Sequence, residues 1–402
     1  LGHFIRTTYD QYGRIKTEAD EEGNLISFEY DHYGNLIKTT TAEGVVNTAQ
    51  YDEIGRLIAQ ADSHNNKINY IYGEKGASEA DLLISILYPN GLRVTNQYDQ
   101  KNRRTVVAQK ADKGLGVEEE LKTITIYDVA DREVATISPA GNINKTEYDE
   151  RNRIVKKIDA NGHATQYVYD IQDNQIEVID ANQNVHRFNY DKLKRLKEEI
   201  RPEGGKTSYE YDQVGQLKKR ITPDGDIGTF EYDDDGRVTK EAKISHLSEG
   251  RKAKLSQAVT YTYNAAGQRT GYVQKNGEGQ LISQASYTLD KLGRTKQENF
   301  TYGAGSKQIA LVISQAWNRD GQKISQTYPD GNTSTFTYDK EQLKTASQPG
   351  STNEINWSSY EWSLPKEIFY PGAKRINVYD GFYRYKNIDV KSVAAAPVSI
   401  LN

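Results

Sequence analysis

Apolar and polar residues alternate along this chain in short runs, and turn-forming residues separate the runs. In Leu25–Tyr30 the side chains of Ile26, Phe28 and Tyr30 fall on one face, which is the period of a β-strand with one side more buried than the other. A second run, Leu36–Thr40, follows after five residues. The pattern predicts a hairpin unit of two short strands and two turns.

The residues between the runs have the chemistry of tight turns. Asp31-His32-Tyr33-Gly34 begins with an Asp, whose carboxylate can accept from the backbone two residues on, and ends with a Gly that tolerates a positive φ. This combination predicts a type I turn followed by a bulge. Asn65, Asn102 and Asp131 replace this Gly elsewhere, and we expect them in the same left-handed conformation.

The unit repeats at a fixed interval. Two runs of tyrosines are spaced by 21 residues: Tyr9, Tyr30, Tyr51 and Tyr72, and then Tyr148, Tyr169, Tyr190, Tyr211 and Tyr232. A period of this size indicates a repeat array, in which each unit buries its surface only against its neighbours. We therefore predict one elongated or coiled all-β body.

Many repeat tyrosines have a second aromatic residue two positions earlier. The pairs are Phe28/Tyr30, Tyr167/Tyr169, Phe188/Tyr190, Tyr209/Tyr211, Phe230/Tyr232, Tyr261/Tyr263 and Phe336/Tyr338. Residues two apart on a strand share a face, so we expect these rings to form ladders across stacked repeats. Tyr suits a thin wall because its ring packs while its hydroxyl reaches water or a backbone group.

Composition agrees with a thin sheet. Hydrophobic residues make up 36% of the 402 residues, and the mean hydropathy is −0.81. The net charge of only −4 and the 10% aromatic content argue against a disordered chain, and the weak charge argues against nucleic acid as a partner. The chain has no Cys, which excludes disulfides and thiolate metal sites, and no apolar run approaches the about 20 residues of a membrane span.

The repeated phrase is specific enough to suggest a family. Tyr-Asp-x-x-Gly-Arg-Leu and its variants occur at Tyr9–Ile15, Tyr51–Leu57, Tyr148–Ile154 and Tyr232–Val238. This phrase, at this interval over almost the whole chain, resembles the YD-repeat or RHS family. That family includes polymorphic toxins, shell components of insecticidal toxin complexes, bacterial wall-associated proteins and the teneurin adhesion receptors.

The resemblance implies a continuous β-strip that spirals into a hollow shell, together with a secreted or cell-surface location in a bacterium. In toxins of this family the shell encloses a C-terminal cargo, so the implied partner is such a cargo or another segment of the same polypeptide. Some members also carry a signature near the end of the shell, with Asp-Pro-x-Gly motifs and aspartates to which self-cleavage is ascribed. This chain has no Asp-Pro, so self-cleavage is not implied.

The repeats match the common phrase less well toward the C-terminal end, and this change divides the chain. We assign residues 1–345 to the repeat array, with loop insertions near 73–91, 109–123 and 241–259, residues 346–391 to degenerate repeats, and residues 392–402 to a linker. The third insertion fits either a hairpin tip or a short helix. Because the chain starts with Leu and contains no Met, we expect it to be part of a longer protein.

Candidate chemical groups are few. The six histidines, at 3, 32, 64, 163, 186 and 246, form no metal-type pair, and Asp233–Gly236 is in register with the ordinary turns and lacks an EF-hand ligand pattern. Gly303-Ala304-Gly305 lacks the Lys-Ser/Thr of a phosphate loop, and the basic run 251–254 is isolated. We therefore expect no catalytic, cofactor-binding or metal-binding residues, and no enzyme.

Two hypotheses of function remain open beside a weaker third. The first is the wall of a shell that encloses or presents another polypeptide. The second is a surface adhesin whose rings, Trp357, Tyr360 and Trp362 among them, stack on cell-surface glycan. The third is a polysaccharide-processing enzyme. The sequence does not decide whether the strip closes into a shell or remains an open solenoid.

Overall fold

The computed structural model describes residues 5–74, 81–112, 116–245, 254–303, 307–351 and 353–392. Within these ranges it contains 34 β-strands and no α-helix, so the all-β hairpin array is confirmed. None of the described residues forms a helix that is long and apolar enough to cross a membrane.

The strands are short and evenly spaced. Their bounds are β1 Arg6–Tyr9, β2 Ile15–Ala19, β3 Leu25–Tyr30, β4 Leu36–Thr40, β5 Val46–Tyr51, β6 Leu57–Ala61, β7 Lys67–Tyr72, β8 Leu83–Leu87, β9 Arg93–Tyr98, β10 Arg104–Asp112, β11 Glu118–Tyr127, β12 Glu133–Ile137, β13 Ile143–Tyr148, β14 Ile154–Ile158, β15 Ala164–Tyr169, β16 Gln175–Ile179, β17 Val185–Tyr190, β18 Leu196–Ile200, β19 Lys206–Tyr211, β20 Leu217–Ile221, β21 Ile227–Tyr232, β22 Val238–Ser245, β23 Lys254–Tyr263, β24 Arg269–Asn276, β25 Leu281–Leu289, β26 Thr295–Tyr302, β27 Ile309–Trp317, β28 Lys323–Thr327, β29 Thr333–Asp339, β30 Gln342–Ser347, β31 Glu354–Glu361, β32 Leu364–Tyr370, β33 Ala373–Tyr379 and β34 Tyr385–Ser392.

Strand pairing follows the order of the sequence. β13 pairs antiparallel with β14, and β14 pairs antiparallel with β15. In the β13–β14 hairpin the register shifts at Tyr148, which faces Ile154, so the repeat tyrosine marks the bulge. The same shift occurs at Tyr169, Tyr190 and Tyr211. The predicted turn with a following bulge is thus present at successive repeats.

Turn residues adopt the predicted left-handed conformation. Asn65, Asn102 and Asp131 have φ values of 63°, 60° and 64°, as expected for residues that replace the usual Gly. Gln183 and Lys194 also have positive φ at such turns, at 66° and 61°. The position therefore requires the conformation and does not absolutely require Gly.

The described residues of the second and third insertions are mostly strand. Residues 109–112 and 118–123, which the sequence analysis placed in a loop, belong to β10 and β11 and pair with each other. In the third insertion β22 and β23 form a long hairpin, so the short-helix alternative does not apply to the residues described there. In both cases the many polar residues disguised an extended hairpin, because they give no clear alternation of apolar and polar positions.

Chain contacts define two compact units. Unit 1 contains Thr125–Leu289 and Gln297–Val312, and unit 2 contains Gly2–Ile124, Asp290–Lys296 and Ile313–Asn402. The assigned boundary at 345 does not coincide with a boundary of either unit. Residues 346–391 continue the series of hairpins through β31–β34. Residues 393–402, most of the assigned linker, lie outside the described part of the chain.

Within unit 2, turns that are far apart in sequence meet. The Arg294 guanidinium lies 2.9 Å from the Glu22 carboxylate, and the Glu43 amide donates to Asp320 at 3.1 Å. Such partners are 272 to 279 residues apart in the sequence. The early repeats of this unit are therefore bound, turn to turn, by later ones.

Burial is shallow throughout. The buried apolar residues include Val45, Ala59, Ile68 and Leu92, whereas Ile26, on the predicted inner face of β3, is 39% exposed. Most strand residues are half-buried. A thin sheet of this kind gains little from a hydrophobic core, so its turns and their polar contacts must carry much of its stability.

Candidate functional site

The turn that follows each repeat tyrosine is the most regular group of functional side chains in the molecule. In the repeat headed by Tyr148, Asp149 Oδ1 accepts from the amides of Arg151 and Arg153 at 2.9 and 3.0 Å. Its other oxygen, Oδ2, accepts from Arg153 Nε at 2.8 Å. One carboxylate thus satisfies two turn amides and fixes the arginine side chain.

We call this contact, in which the Asp at the first turn position holds the Arg at the fifth, the clasp. It recurs along the chain with Nε to Oδ2 distances of 2.6–2.8 Å. It joins Asp10–Arg14, Asp52–Arg56, Asp99–Arg103, Asp128–Arg132, Asp149–Arg153, Asp191–Arg195, Asp233–Arg237, Asp290–Arg294 and Asp380–Arg384.

The arginine also reaches the following repeat. The Arg153 guanidinium lies 4.6 Å from the centre of the Tyr169 ring, and its Nη1 donates to the Asp170 carbonyl at 3.3 Å. Guanidinium stacking on an aromatic face adds to the hydrogen bond. This arginine therefore fixes its own turn and also joins its repeat to the next one.

The expected ladder of rings takes a different form. At six turns of the described chain the guanidinium of the fifth turn residue covers the next repeat tyrosine, 4.6–5.2 Å from the ring centre; these residues are Arg14, Arg56, Arg132, Arg153, Arg195 and Arg237. At these turns a guanidinium, and not a second ring, lies against the repeat tyrosine. Successive hairpins place two strand spacings, about 10 Å, between equivalent rings, and a planar side chain fills that gap.

The tyrosine hydroxyl completes the repeat. Tyr169 Oη, at the end of β15, donates at 2.8 Å to the carbonyl of Ile154, at the start of the adjacent strand β14. Equivalent bonds of 2.8–3.0 Å, each spanning 15 residues, are made by Tyr72, Tyr98, Tyr148, Tyr190, Tyr211, Tyr232 and Tyr338. Trp317 takes the place of Tyr and donates through Nε1 to the Thr295 carbonyl at 2.9 Å. The predicted backbone contact of the hydroxyl is confirmed.

The turn pairs obey a donor–acceptor rule. An Asp at the first turn position is matched by a donor at the fifth position, such as Arg153 for Asp149 or Asn174 for Asp170. Where the first residue is Asn264, its Nδ2 donates to Gln268 Oε1 at 2.9 Å. The exchange of Asp–Arg for Asn–Gln keeps the contact because Asn supplies a donor, which needs an acceptor opposite it.

Hydrogen bonding lowers the pKa of clasp carboxylates such as Asp149 and Asp191. The backbone amide of Arg153, and then its side chain and charge, lower the pKa of Asp149 below its ordinary 3.8, while partial burial opposes them. The pKa of Asp191 is lowered in the same way by Arg195. Burial raises the pKa of the Tyr169 phenol. These shifts favour the charged carboxylate and the neutral phenol, the forms that make the clasp.

Unit 2 also contains a Ser–His–Glu group that sequence spacing could not reveal. Ser63 Oγ donates to Glu341 and lies 3.4 Å from His64 Nδ1, which is itself 3.0 Å from Glu341 Oε1. A hydrolytic triad needs the serine and the carboxylate on opposite ring nitrogens. Here both lie at Nδ1, so the group lacks the arrangement that would activate the serine.

The three rings named as glycan candidates lie beside this group. Trp357, Tyr360 and Trp362 are all half-buried, and they line two adjoining cavities of about 610 and 600 Å³. The Tyr360 hydroxyl donates to the Leu343 carbonyl. The Trp362 ring centre is 5.5 Å from that of Tyr383. Of the three side chains, Trp357 alone makes neither a ring contact nor a hydrogen bond with the described residues.

The remaining candidates behave as turn or surface residues. Asp233 Oδ1 accepts from the amides of Asp235 and Arg237, so the acidic run is an ordinary turn, as predicted. His32 packs on the Tyr33 ring, and His163 Nδ1 is 3.0 Å from Asp159 Oδ2. The remaining positions, His3 and His246, residues 304–306 and residues 251–253, lie outside the described residues.

Comparison with known proteins gives this repeat a family. Residues 118–241 match the teneurin YD-shell family, and residues 9–46 match the RHS repeat. The repeats at residues 9–46 and 118–241 belong to the RHS/YD-repeat family. No curated protein sequence matches it.

Solved structures of similar fold come from toxin complexes. The RHS/YD-repeat chain aligns over 99% of its length with 23% of a chain in the TcdB2–TccC3–Cdc42 crystal structure, at 13% identity and a TM-score of 0.58. In the Photorhabdus luminescens Tc holotoxin pore, 93% of this chain aligns with 22% of the other chain, at 14% identity and a TM-score of 0.55. In TcdB2–TccC3, 96% of this chain aligns with 27% of the other, at 14% identity and a TM-score of 0.53. The chain thus spans about a quarter of the length of these proteins.

Proposed function

We propose that these repeats form part of the wall of a YD-repeat shell that encloses or presents another polypeptide, in a secreted or cell-surface bacterial protein. The observation that carries the proposal is the recurring clasp. Many hairpins are fixed to the next through Asp, Arg and Tyr, as in Asp149, Arg153 and Tyr169, with little buried core. Such a ribbon can extend as a wall without needing a filled interior.

The family and the fold support this role. The matching family is a structural one, and the neighbours of similar fold are toxin-complex proteins. Because the chain covers about a quarter of those proteins, the cargo and the closed shell belong to the proposal. The implied cargo is a C-terminal region or another segment of the same polypeptide. No catalytic role is proposed for any residue.

Small-angle scattering from the purified full chain tests the wall. We expect a pair-distance distribution with its maximum displaced beyond that of a filled globule of the same mass. A distribution matching a filled globule would overturn the proposal.

Enclosure needs a second measurement. The full chain is co-expressed with a candidate cargo polypeptide and treated with proteinase K, before and after the shell is unfolded in guanidinium. Protection of the second polypeptide only while the shell is folded supports enclosure. Equal cleavage in both conditions would leave presentation as the role and reject enclosure.

Glycan binding at the cavities beside Trp357 is a second candidate. The observation that favours it is one tryptophan beside the carboxylate of Asp339 and the amide of Asn356, a combination suited to a sugar ring. A glycan array probed with the full chain and with Trp357→Ala tests it, with Tyr33→Ala, an exposed turn ring, as control. Binding lost only in Trp357→Ala supports the candidate, and absence of binding by the full chain removes it.

A further inference from the structure

Two turns of unit 2 bring three metal-ligating side chains together. The turn between β6 and β7 contributes Asp62 and His64, and the turn between β29 and β30 contributes Glu341. One ligand atom from each of the three lies within 4.8 Å of the other two. Asp62 alone is unremarkable, since it caps its turn as other aspartates do. The arrival of His64 and Glu341 at that carboxylate is what sets this turn apart.

The His64 ring lies between two carboxylates. Its Nδ1 is 3.0 Å from Glu341 Oε1, and its Nε2 is 3.8 Å from Asp339 Oδ2. Nε2 is buried and has no hydrogen-bond partner. A neutral imidazole carries one N–H, so in either tautomer one ring nitrogen presents a lone pair to a carboxylate. Both nitrogens are satisfied only when the lone-pair nitrogen binds a cation, either a second proton or a metal ion.

The surrounding contacts prepare the oxygens to bind a metal ion. Asn66 Nδ2 donates to Asp62 Oδ2 at 2.8 Å, and the Ser63 hydroxyl donates to one oxygen of Glu341. These bonds orient the two carboxylates, as outer-shell partners do at metal sites. Donors on one tetrahedral zinc ion are about 3.4 Å apart. The Glu341 side chain is 40% exposed and has room to rotate by the small amount required.

We propose that Asp62, His64 Nδ1 and Glu341 bind one divalent metal ion of the zinc class, with N and O ligands. His64 Nε2–H then donates toward Asp339, which becomes its outer-shell acceptor. The ion joins the turn at 62–66 to the turn at 339–342. Glu341 is 277 residues from His64, so the metal cross-links distant repeats of unit 2. The Lys340 ammonium donates to the Ser63 carbonyl next to the site and lowers the affinity by its charge.

Calorimetric titration of ZnCl2 into the EDTA-treated full chain tests the proposal. We expect one equivalent of Zn²⁺ to bind, with the affinity reduced by about 10–100-fold or more in His64→Asn and Glu341→Gln. Asn occupies the same turn position at Asn161 and Asn182, so His64→Asn is compatible with folding. MgCl2 is the comparison ion, since Mg²⁺ does not favour imidazole, and it should bind far more weakly.

His163→Asn is the matched control. His163 Nδ1 pairs with Asp159 at 3.0 Å, yet the described residues place no third ligand at that pair. This variant should bind zinc like the parent chain. Thermal unfolding gives a second readout, in which Zn²⁺ raises the midpoint of the parent and of His163→Asn but not of His64→Asn. Undiminished binding in His64→Asn, or no saturable binding in the parent chain, would overturn the site.

Discussion

At the scale of single residues, the repeated phrase has a chemical explanation. Asp caps the turn, Arg is held by that Asp and covers the next ring, and Tyr returns a hydroxyl to a strand carbonyl, as Asp149, Arg153 and Tyr169 show. Each of the three residues satisfies a polar group that a thin sheet leaves close to water. The phrase is thus a description of one clasp.

Loss of one tyrosine hydroxyl should weaken the array measurably. Tyr169→Phe removes the bond to the Ile154 carbonyl and should lower the free energy of unfolding by about 0.5–1.5 kcal/mol, measured by chemical denaturation. Tyr167→Phe is the control, because no hydrogen bond of the Tyr167 hydroxyl is recorded among the described residues. Equal effects of the two substitutions would contradict the assigned role of the hydroxyl.

The donor–acceptor rule of the turn predicts a rescue. Asp149→Asn places an amide donor opposite the Arg153 guanidinium, so it should lower the thermal midpoint. The double variant Asp149→Asn/Arg153→Gln reproduces the Asn264–Gln268 pair and should recover part of the loss. A double variant that is as unstable as the sum of the two single variants would refute the rule.

At the scale of the hairpin, the turn sets the register and the strands are interchangeable. The bulge at Tyr148 recurs one repeat later at Tyr169, although the strand residues differ between the two. Turn and register could be predicted from the sequence because both depend on local chemistry. The strands near 109–123 could not, because a mostly polar strand without a clear apolar alternation resembles a loop.

A glycine-to-alanine change in a second turn tests the backbone requirement. Gly141 has φ of 81° and open space where a Cβ would project, so Gly141→Ala should cost about 1–2 kcal/mol through conformation alone. Gly141→Asn should cost less, since Asn65 holds this conformation naturally. Denaturation curves in which the two variants coincide would count against this explanation.

At the scale of the whole molecule, many small polar contacts take the place of a large hydrophobic core. We therefore expect the free energy of unfolding to fall at acid pH. The clasp carboxylates, such as Asp128, Asp149 and Asp191, have a lowered pKa in the fold. The unfolded chain therefore binds more protons as the pH falls through 3.8 and below, so the stabilisation is complete above about pH 4 and is lost below it.

Thermal unfolding measured from neutral pH to well below pH 4 checks this prediction. The midpoint should stay level until the pH approaches the ordinary value for Asp and then fall steeply, because many equivalent clasps titrate together. A midpoint that is independent of pH across that range would show that the clasp carboxylates do not stabilise the fold.

The sequence by itself determined the repeat, its turns, its all-β class and its family, because each depends on residues within one or two hairpins, as Tyr148 to Tyr169 illustrates. Only the tertiary structure decided which distant turns meet. His64 and Glu341 are 277 residues apart, and no local pattern records that their side chains come within hydrogen-bonding distance. Local chemistry repeats along the chain and can be recognised there, whereas a contact between distant repeats depends on how the small twist of every intervening hairpin accumulates.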